Sequence, residues 1–438
     1  MNVPTTISEG LGALTAGHQD AGEGEDAMLP LVAFALFPLW FVQIPFLWGV
    51  AHPSVQTRHV QIVTGYLGEI DNDAGFLYSK FRRYRVAVAL FRLSAALDHP
   101  PGAYNLGVSY DDGEGVPRDF VKGVQWYRRA ARAGYAPAED SLGQAYTSGM
   151  GVARNERKAV FWYEKAATQG FADAENRLGV DYQQGLGVTK NAALAHLWLR
   201  RAARQGNANA AYNLSLDYGA GAARNPGRSL RWLRVSAKHG SARAAATLGY
   251  DYSIGRLVPK SQVKAVHWFL IGAILGDRTA ALNLGTAFEM GHGVKANPEE
   301  AVRWYVVAAL RGSARATFDL GECYLYGRGV RRSLAHAILL WKRAGAEGNP
   351  DAAYNLGLAY MLGKGVPKSY AKADDWFRKS AARGIAAAED NLGIAYHEGR
   401  GVPKNQKRAF YWLRKAAAQP GYGGQLARHE LAKLHDPR

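Results

Sequence analysis

Cysteine is nearly missing from this chain: Cys323 is the one thiol in 438 residues. An intramolecular disulfide framework is therefore excluded, and oxidation state says little about compartment. Lysine and arginine are absent from residues 1 to 57, although the whole chain holds 54 of them against 37 acids and a net charge of +17. That opening stretch contains five acids (Glu9, Asp20, Glu23, Glu25 and Asp26), which leaves everything downstream at +22. Catalytic constellations are also scarce. The Gly-x-Gly loops lack the third glycine of a dinucleotide fingerprint and lie between helical patterns, not after a strand. His429-Glu430 and His435 look superficially like a zinc motif, but six residues separate the histidines and place them on different helix faces. No Ser/His/Asp triad or paired carboxylates stand out, so neither an enzyme nor a resident cofactor or metal is expected.

What the chain has in abundance is repetition. Ala-Tyr-Asn-Leu-Gly ends at Gly107 and returns at Ala353 to Gly357, and Gly143, Gly179, Ser215, Gly249, Gly285, Gly321 and Gly393 keep the same register. The step is 36 residues throughout except for 34 between Ser215 and Gly249. A fixed period of this size means stacked supersecondary units in place of one globular core. An alanine precedes the anchor by five residues in eight of the nine copies, and an aromatic follows it by three in all nine, from Tyr110 to Tyr396. Small and large residues thus share one helical stripe. Glycine within a helix costs about 1 kcal/mol relative to alanine, so its recurrence predicts a helix packed too closely for a Cβ.

A loop of the form Gly-x-Gly-Val-Pro/Ala-x-Asn/Asp follows, as in Gly113 to Asp119 and Gly399 to Asn405. Its glycines permit positive φ and its proline stops the helix. A second helix then carries Trp126, Trp162, Trp198, Trp232, Trp268, Trp304, Trp376 and Trp412 at one position, which reads as its inward face. In one copy Leu340 takes that position and Trp341 the next. Gly134, Gly170, Gly206, Gly240, Gly276, Gly312, Gly348 and Gly384 close the units as C′ glycines. Most of the 11 Trp and 23 Tyr fall at these positions, so the aromatic richness needs no carbohydrate or nucleic-acid explanation.

The pattern Ala-x-x-x-Leu-Gly-x-x-Tyr-x-x-Gly-x-Gly-Val, then Lys/Arg-Ala-x-x-Trp-Tyr-x-Lys-Ala-Ala-x-x-Gly, resembles the Sel1-like repeat family, relatives of the tetratricopeptide repeats. The resemblance covers residues 99–419 and implies an all-α, right-handed α-solenoid of nine to ten helix-turn-helix repeats used as a protein-binding adaptor. Some family members staple their repeats with paired cysteines; this chain does not.

The remaining regions divide as an acidic leader (1–27), an apolar segment (28–51), a linker with a degenerate repeat in which Leu90 and Phe91 hold the Trp-Tyr positions (52–98), and a C-terminal capping helix (420–438). Met28 to Ala51 has 24 residues with Gln43 as its only clearly polar side chain. At about 1.5 Å per residue it can cross a hydrocarbon layer of about 30 Å. A single membrane-spanning helix is the preferred reading. Gly49-Val50-Ala51 resembles a cleavage site, but no basic region precedes the run, as a signal peptide would have; an apolar helix packed on the first repeat is the third reading. For a span, the acidic leader and the following Arg58, Arg82, Arg83 and Arg85 favour cytoplasmic repeats. The opposite topology would make the chain a periplasmic regulator of envelope or secretion functions.

Three surfaces are candidates for binding. On the second helices, positions two and three after the tryptophan hold Arg128, Arg129, Arg200, Arg201, Arg378, Lys379, Arg414 and Lys415. This basic ladder is either a solvated face favoured near helix C-termini or a track for an anionic partner such as nucleic acid or lipid head groups. The fifth and sixth repeats replace those positions, and the outward position six after the tryptophan, with Leu270, Ile271 and Ile274, then Val306, Val307 and Leu310. They are expected to form one apolar patch for a protein partner or a second copy of the chain, unless the fold buries them. By analogy with tetratricopeptide repeats, Tyr104, Asn105, Tyr212, Asn213, Asn283, Tyr354, Asn355 and Asn391 face a groove for an extended peptide. Alternatively, these asparagines tie neighbouring repeats to loop backbone. The overall expectation is a membrane-anchored scaffold that recruits proteins or peptides.

Overall fold

The computed structural model describes residues 53–220 and 224–434, and the apolar segment 28–51 lies outside them. Among the described residues there are twenty-one helices and no strand. A pair, α1 (Pro53–Lys80) and α2 (Tyr84–Ala96), precedes nine hairpins of the predicted register. The first helices are α3 (Pro100–Asp112), α5 (Ala136–Ser148), α7 (Ala172–Gln184), α9 (Ala208–Ala220), α11 (Ala242–Ile254), α13 (Arg278–Met290), α15 (Ala314–Tyr326), α17 (Pro350–Leu362) and α19 (Ala386–Glu398). Their second helices are α4 (Phe120–Arg132), α6 (Glu156–Thr168), α8 (Ala192–Arg204), α10 (Pro226–Lys238), α12 (Gln262–Ile274), α14 (Pro298–Leu310), α16 (Leu334–Ala346), α18 (Tyr370–Ala381) and α20 (Gln406–Ala417). A last helix, α21 (Tyr422–Lys433), packs on α20 and α19. The chain is an α-solenoid of helical hairpins, and it divides into two units, one ending at Trp162 and the other beginning at Tyr163.

In each unit a second helix closes its hairpin by pressing a large side chain onto the anchor glycine. A Cβ on Gly107 would lie 2.6 Å from Tyr127 Cε1, and one on Gly357 would lie 2.4 Å from Phe377 Cε1. This corrects the expectation that the tryptophans form the inward face. The tryptophans are half-buried, whereas the residue after each one is buried, with Tyr305 and Phe377 both 1 % exposed. Geometry explains the exchange: the glycine stripe lies under the residue one step further around the helix, and the tryptophan reaches sideways to the preceding second helix. Trp376 Cζ3 would meet a Cβ on Gly345 of α16 at 2.9 Å, and Trp268 packs on the cluster of Leu233 and Ala237. The alanines five before the anchor are fully buried from Ala138 to Ala388.

The connections obey the predicted chemistry. First helices end on glycines in the left-handed region, such as Gly113 (φ 75°) and Gly363 (φ 70°). The second loop glycine is demanded by close approach as well as by conformation. At Gly329 (φ 68°) a Cβ would come within 2.2 Å of the Pro298 carbonyl oxygen at the start of the previous second helix. The Asn, Asp or Ser that ends each loop caps the next helix; Asn405 Oδ1, for example, accepts from the Arg408 N–H at 2.9 Å.

Candidate binding surfaces

The predicted groove residues are half-buried on the first helices α3, α9, α13, α17 and α19, and three of the asparagines reach back one repeat. In the first unit Asn105 Nδ2 donates to Asn72 Oδ1 at 2.8 Å. In the second, Asn213 donates to Asn176 Oδ1 at 3.0 Å and Asn355 to Glu322 Oε1 at 3.1 Å. The ties run between side chains of neighbouring first helices, so the alternative of asparagines bonded to loop backbone is corrected in its detail. Asn391 instead donates to Ala387 O of its own helix at 2.7 Å. Asn283 makes no side-chain hydrogen bond among the described residues. Tyr104 lies against Tyr127 and Tyr135, with ring centroids 5.7 and 5.5 Å apart, and Tyr354 against Phe377 at 5.9 Å. Tyr212 receives the Arg243 guanidinium over its ring at 5.7 Å. Burial pushes the Tyr104 and Tyr354 hydroxyls above their ordinary range, so both are neutral, with Ser141 and Asn391 as their respective side-chain hydrogen-bond partners.

The basic ladder is tied into the fold. Cations three after the tryptophan lie over the indole one turn back: Arg129 over Trp126, Arg201 over Trp198, Lys379 over Trp376 and Lys415 over Trp412, at 5.5, 4.8, 3.9 and 5.0 Å. Two of them also pair with buried acids that replace an alanine four before the anchor. Arg201 Nε is 3.2 Å from Glu175 Oε1 and Lys415 Nζ is 2.8 Å from Glu389 Oε1. Gln205 and Gln419 complete these sites, each donating to the other carboxylate oxygen at 2.7 Å. Burial raises the Glu175 carboxyl above its usual range, against the opposing pull of Arg201 and Gln205. The cation two after the tryptophan serves the next repeat's tyrosine, as Arg128 donates to Tyr146 Oη at 3.2 Å and Arg234 to Tyr252 Oη at 3.4 Å. Arg378 pairs with Asp375 at 3.0 Å, and Arg414 lies over Phe410 at 5.9 Å. Arg200, exposed, has no such partner.

The apolar interruption resolves into two classes. Leu270, Ile274, Val306 and Leu310 are exposed, at 38, 67, 37 and 71 %. Ile271 and Val307 are half-buried and pack on the clusters around Leu248 and around Ala308, so these two are core residues and are corrected as members of an exposed patch. Some of the ladder's interior partners are missing here. Eighteen residues after Leu270 stands Phe288, which has no hydroxyl to receive a cation, and the acid positions of these repeats hold Ala245 and Ala281.

Sequence reasoning missed the polar side chains two before the tryptophan. That position is apolar in seven copies, among them Val124, Val302 and Ile338, and polar in His196 and Asp374. His196 Nδ1 meets Asp217 Oδ2 at 3.1 Å. Asp374 is 3 % exposed and makes no hydrogen bond or ion pair among the described residues, its Oδ2 sealed from solvent. Burial pushes its carboxyl up to about 6, and does the same for Asp390, which is 5 % exposed beside Glu430. Cys323 is buried, its thiol pushed up to about 12, which removes it as a nucleophile. Among the described residues no three His, Cys, Asp or Glu side chains cluster as metal ligands, and no helix is long and apolar enough to cross a membrane.

The Sel1 repeat model matches nine consecutive segments, the first at residues 100–135 and the last at 386–420. Among solved structures, a protective antigen present in uropathogenic Escherichia coli strains and described as displaying an SLR fold is 32 % identical. That alignment covers 84 % of this chain and 79 % of the antigen, with a TM-score of 0.58. A Sel1 repeat protein from Oxalobacter formigenes is 28 % identical over 78 % of this chain and 89 % of its own, with a TM-score of 0.42. Among curated proteins none matches this chain.

Proposed function

The chain belongs to the Sel1 repeat family, and from that premise we propose that it is a scaffold whose first-helix face holds an extended segment of a protein partner. The observation that carries this reading is a half-buried asparagine that recurs at one first-helix position, in the first unit as Asn105 and in the second as Asn213 and Asn355. Asn105, Asn213 and Asn355 each donate to the preceding repeat, which fixes the amide plane. The side-chain carbonyl of each is left without a partner among the described residues, ready for a backbone N–H. Such acceptors suit the backbone N–H groups of a peptide in extended conformation, and in the second unit Tyr354 stands beside Asn355 and adds apolar area.

The engagement of the ladder cations with indoles, buried acids and tyrosine hydroxyls supports a structural role for them over an anion track. A photo-crosslinking residue placed at Asn283 captures the partner in cells, and the same residue at Arg200 does not; adducts confined to Arg200 would overturn the groove assignment. The apolar run Met28–Ala51, with the basic residues only beyond it, supports anchoring to a membrane with the repeats in the cytoplasm. Protease digestion of intact and opened membrane vesicles tests this. Digestion from the cytoplasmic side alone agrees with it, and recovery of the chain in the soluble fraction defeats it.

A further inference from the structure

One buried second-helix position carries a carboxylate, Asp374, where most repeats are apolar. Between α17, α18 and α19 lies a cavity of about 30 Å³ lined by Met361, Phe377, Asn391, Ile394, Glu398 and Asp374, with Tyr370 and Arg400 also contributing. Asn391 belongs to the position assigned above to the groove, and Ile394 and Glu398 follow it on the same face of α19, so the groove reading places this cavity along the peptide-binding face. Asp374 lines it from the second-helix side. A buried carboxylate with no partner is costly, and seven of the other repeats meet this position with a branched aliphatic or phenylalanine side chain. The nearby cations do not cancel it: Arg378 pairs with Asp375 and Arg400 with Glu398. Gly401 makes room for the carboxylate itself, since a Cβ there would lie 2.4 Å from Asp374 Oδ2, which abuts the loop.

We propose that this cavity is a specificity pocket for a lysine side chain of the bound segment, its ammonium meeting Asp374 with Asn391 and Glu398 at the rim. The proposal rests on the groove reading and deepens it. Size selects the cation: a water-sized group needs about 10–15 Å³, so the cavity takes an ammonium, whereas the broader planar guanidinium of arginine does not fit. The apolar walls of Met361, Phe377 and Ile394 suit the lysine methylenes.

The test uses the full chain and fluorescein-labelled ten-residue Ala/Ser peptides, identical except for a central lysine, norleucine, acetyl-lysine or arginine, read by anisotropy. The lysine peptide is expected to bind about tenfold or more tighter than the other three, and Asp374→Asn and Asp374→Val are expected to abolish the difference. Valine occurs at this position in other repeats, so Asp374→Val should unfold at or above the wild-type midpoint; a lower midpoint would make Asp374 structural and overturn the pocket. Equal binding of all four peptides, or a lysine preference that survives in Asp374→Val, also overturns it. If binding is equal but weakened by Tyr354→Ala with Asn355→Ala, the groove stands while the pocket falls. If no peptide binds, both readings fall together.

Discussion

The third and ninth repeats differ from the fifth and sixth in one respect that organises their outer faces. In the former an acid replaces alanine on the first helix, Glu175 or Glu389, and a cation on the second helix answers it, Arg201 or Lys415. In the latter the acid position is Ala245 or Ala281 and the answering position is Ile271 or Val307. The surface cation is thus the outward half of an interior pair. A row of basic residues along a solenoid need not report an anionic ligand; here two of its cations answer buried acids, and the two repeats without a cation at that position have no acid there.

The sharpest way to break this comparison is to remove one half of the pair. Lys415→Met leaves Glu389, which is fully buried, with Gln419 alone. Truncating one partner of a buried ion pair costs about 3–5 kcal/mol, discounted here toward about 3 because Lys415 is itself 42 % exposed. Denaturant unfolding should show this loss. Lys415→Met with Glu389→Ala, which copies the alanine of the fifth repeat, should recover most of it; a double variant as unstable as the single one would disconnect the ladder from the interior.

Unanswered acids sharpen the contrast from the other side. Asp374 and Asp390 have folded carboxyls pushed up to about 6 by burial, with no cation paired to either. A carboxyl raised on folding holds its proton longer in the native state, so its stabilising contribution is present below the unfolded value near 4 and is lost as pH rises through 6. Each therefore lowers stability at neutral pH by on the order of 2–3 kcal/mol. Replacing Asp374 with valine should raise the unfolding midpoint at pH 7 and leave it nearly unchanged at pH 4. An equal rise at both values would show that ionisation is not the cause.

Where a cation meets only an indole, the effect is smaller. Lys379 lies 3.9 Å over Trp376, and the acid position of its repeat is Ala353. Lys379→Met should cost about 0.5–1 kcal/mol, several-fold less than Lys415→Met, by the same measurement.

The hairpins, their boundaries and their loop chemistry were legible from the 36-residue step because glycine, alanine and capping residues answer local rules that do not depend on the rest of the chain. Sequence could not say which of two adjacent aromatics meets the anchor glycine: Trp304 and Tyr305 differ by one step around a helix, and the choice depends on how the hairpin partner is set. Nor could it reveal that Gly75 of α1 receives Phe91, where a Cβ would lie 2.6 Å from Cε1, since its spacing to Gly107 falls outside the period. The groove asparagines were identified by register, but their tie to the preceding first helix required the neighbouring side chain in space. Asp374 was visible as an exception at an apolar position, yet only its burial without a partner turns the exception into a site.

The smallest expected effect tests the comparison by building instead of removing. Arg128 and Arg234 each donate to a tyrosine hydroxyl eighteen residues on, and at the corresponding places stand Leu270 and Phe288. Leu270→Arg alone gains a solvated cation and loses an exposed leucine, and should be neutral within about 0.5 kcal/mol. Phe288→Tyr alone adds a half-buried hydroxyl without its donor. Together they recreate the pair found elsewhere in the array, and a double-mutant cycle should return a favourable coupling of about 0.5–1 kcal/mol. Zero coupling would mean that the arginine–tyrosine contacts are surface coincidences, and that the ladder is held by its buried acids and indoles alone.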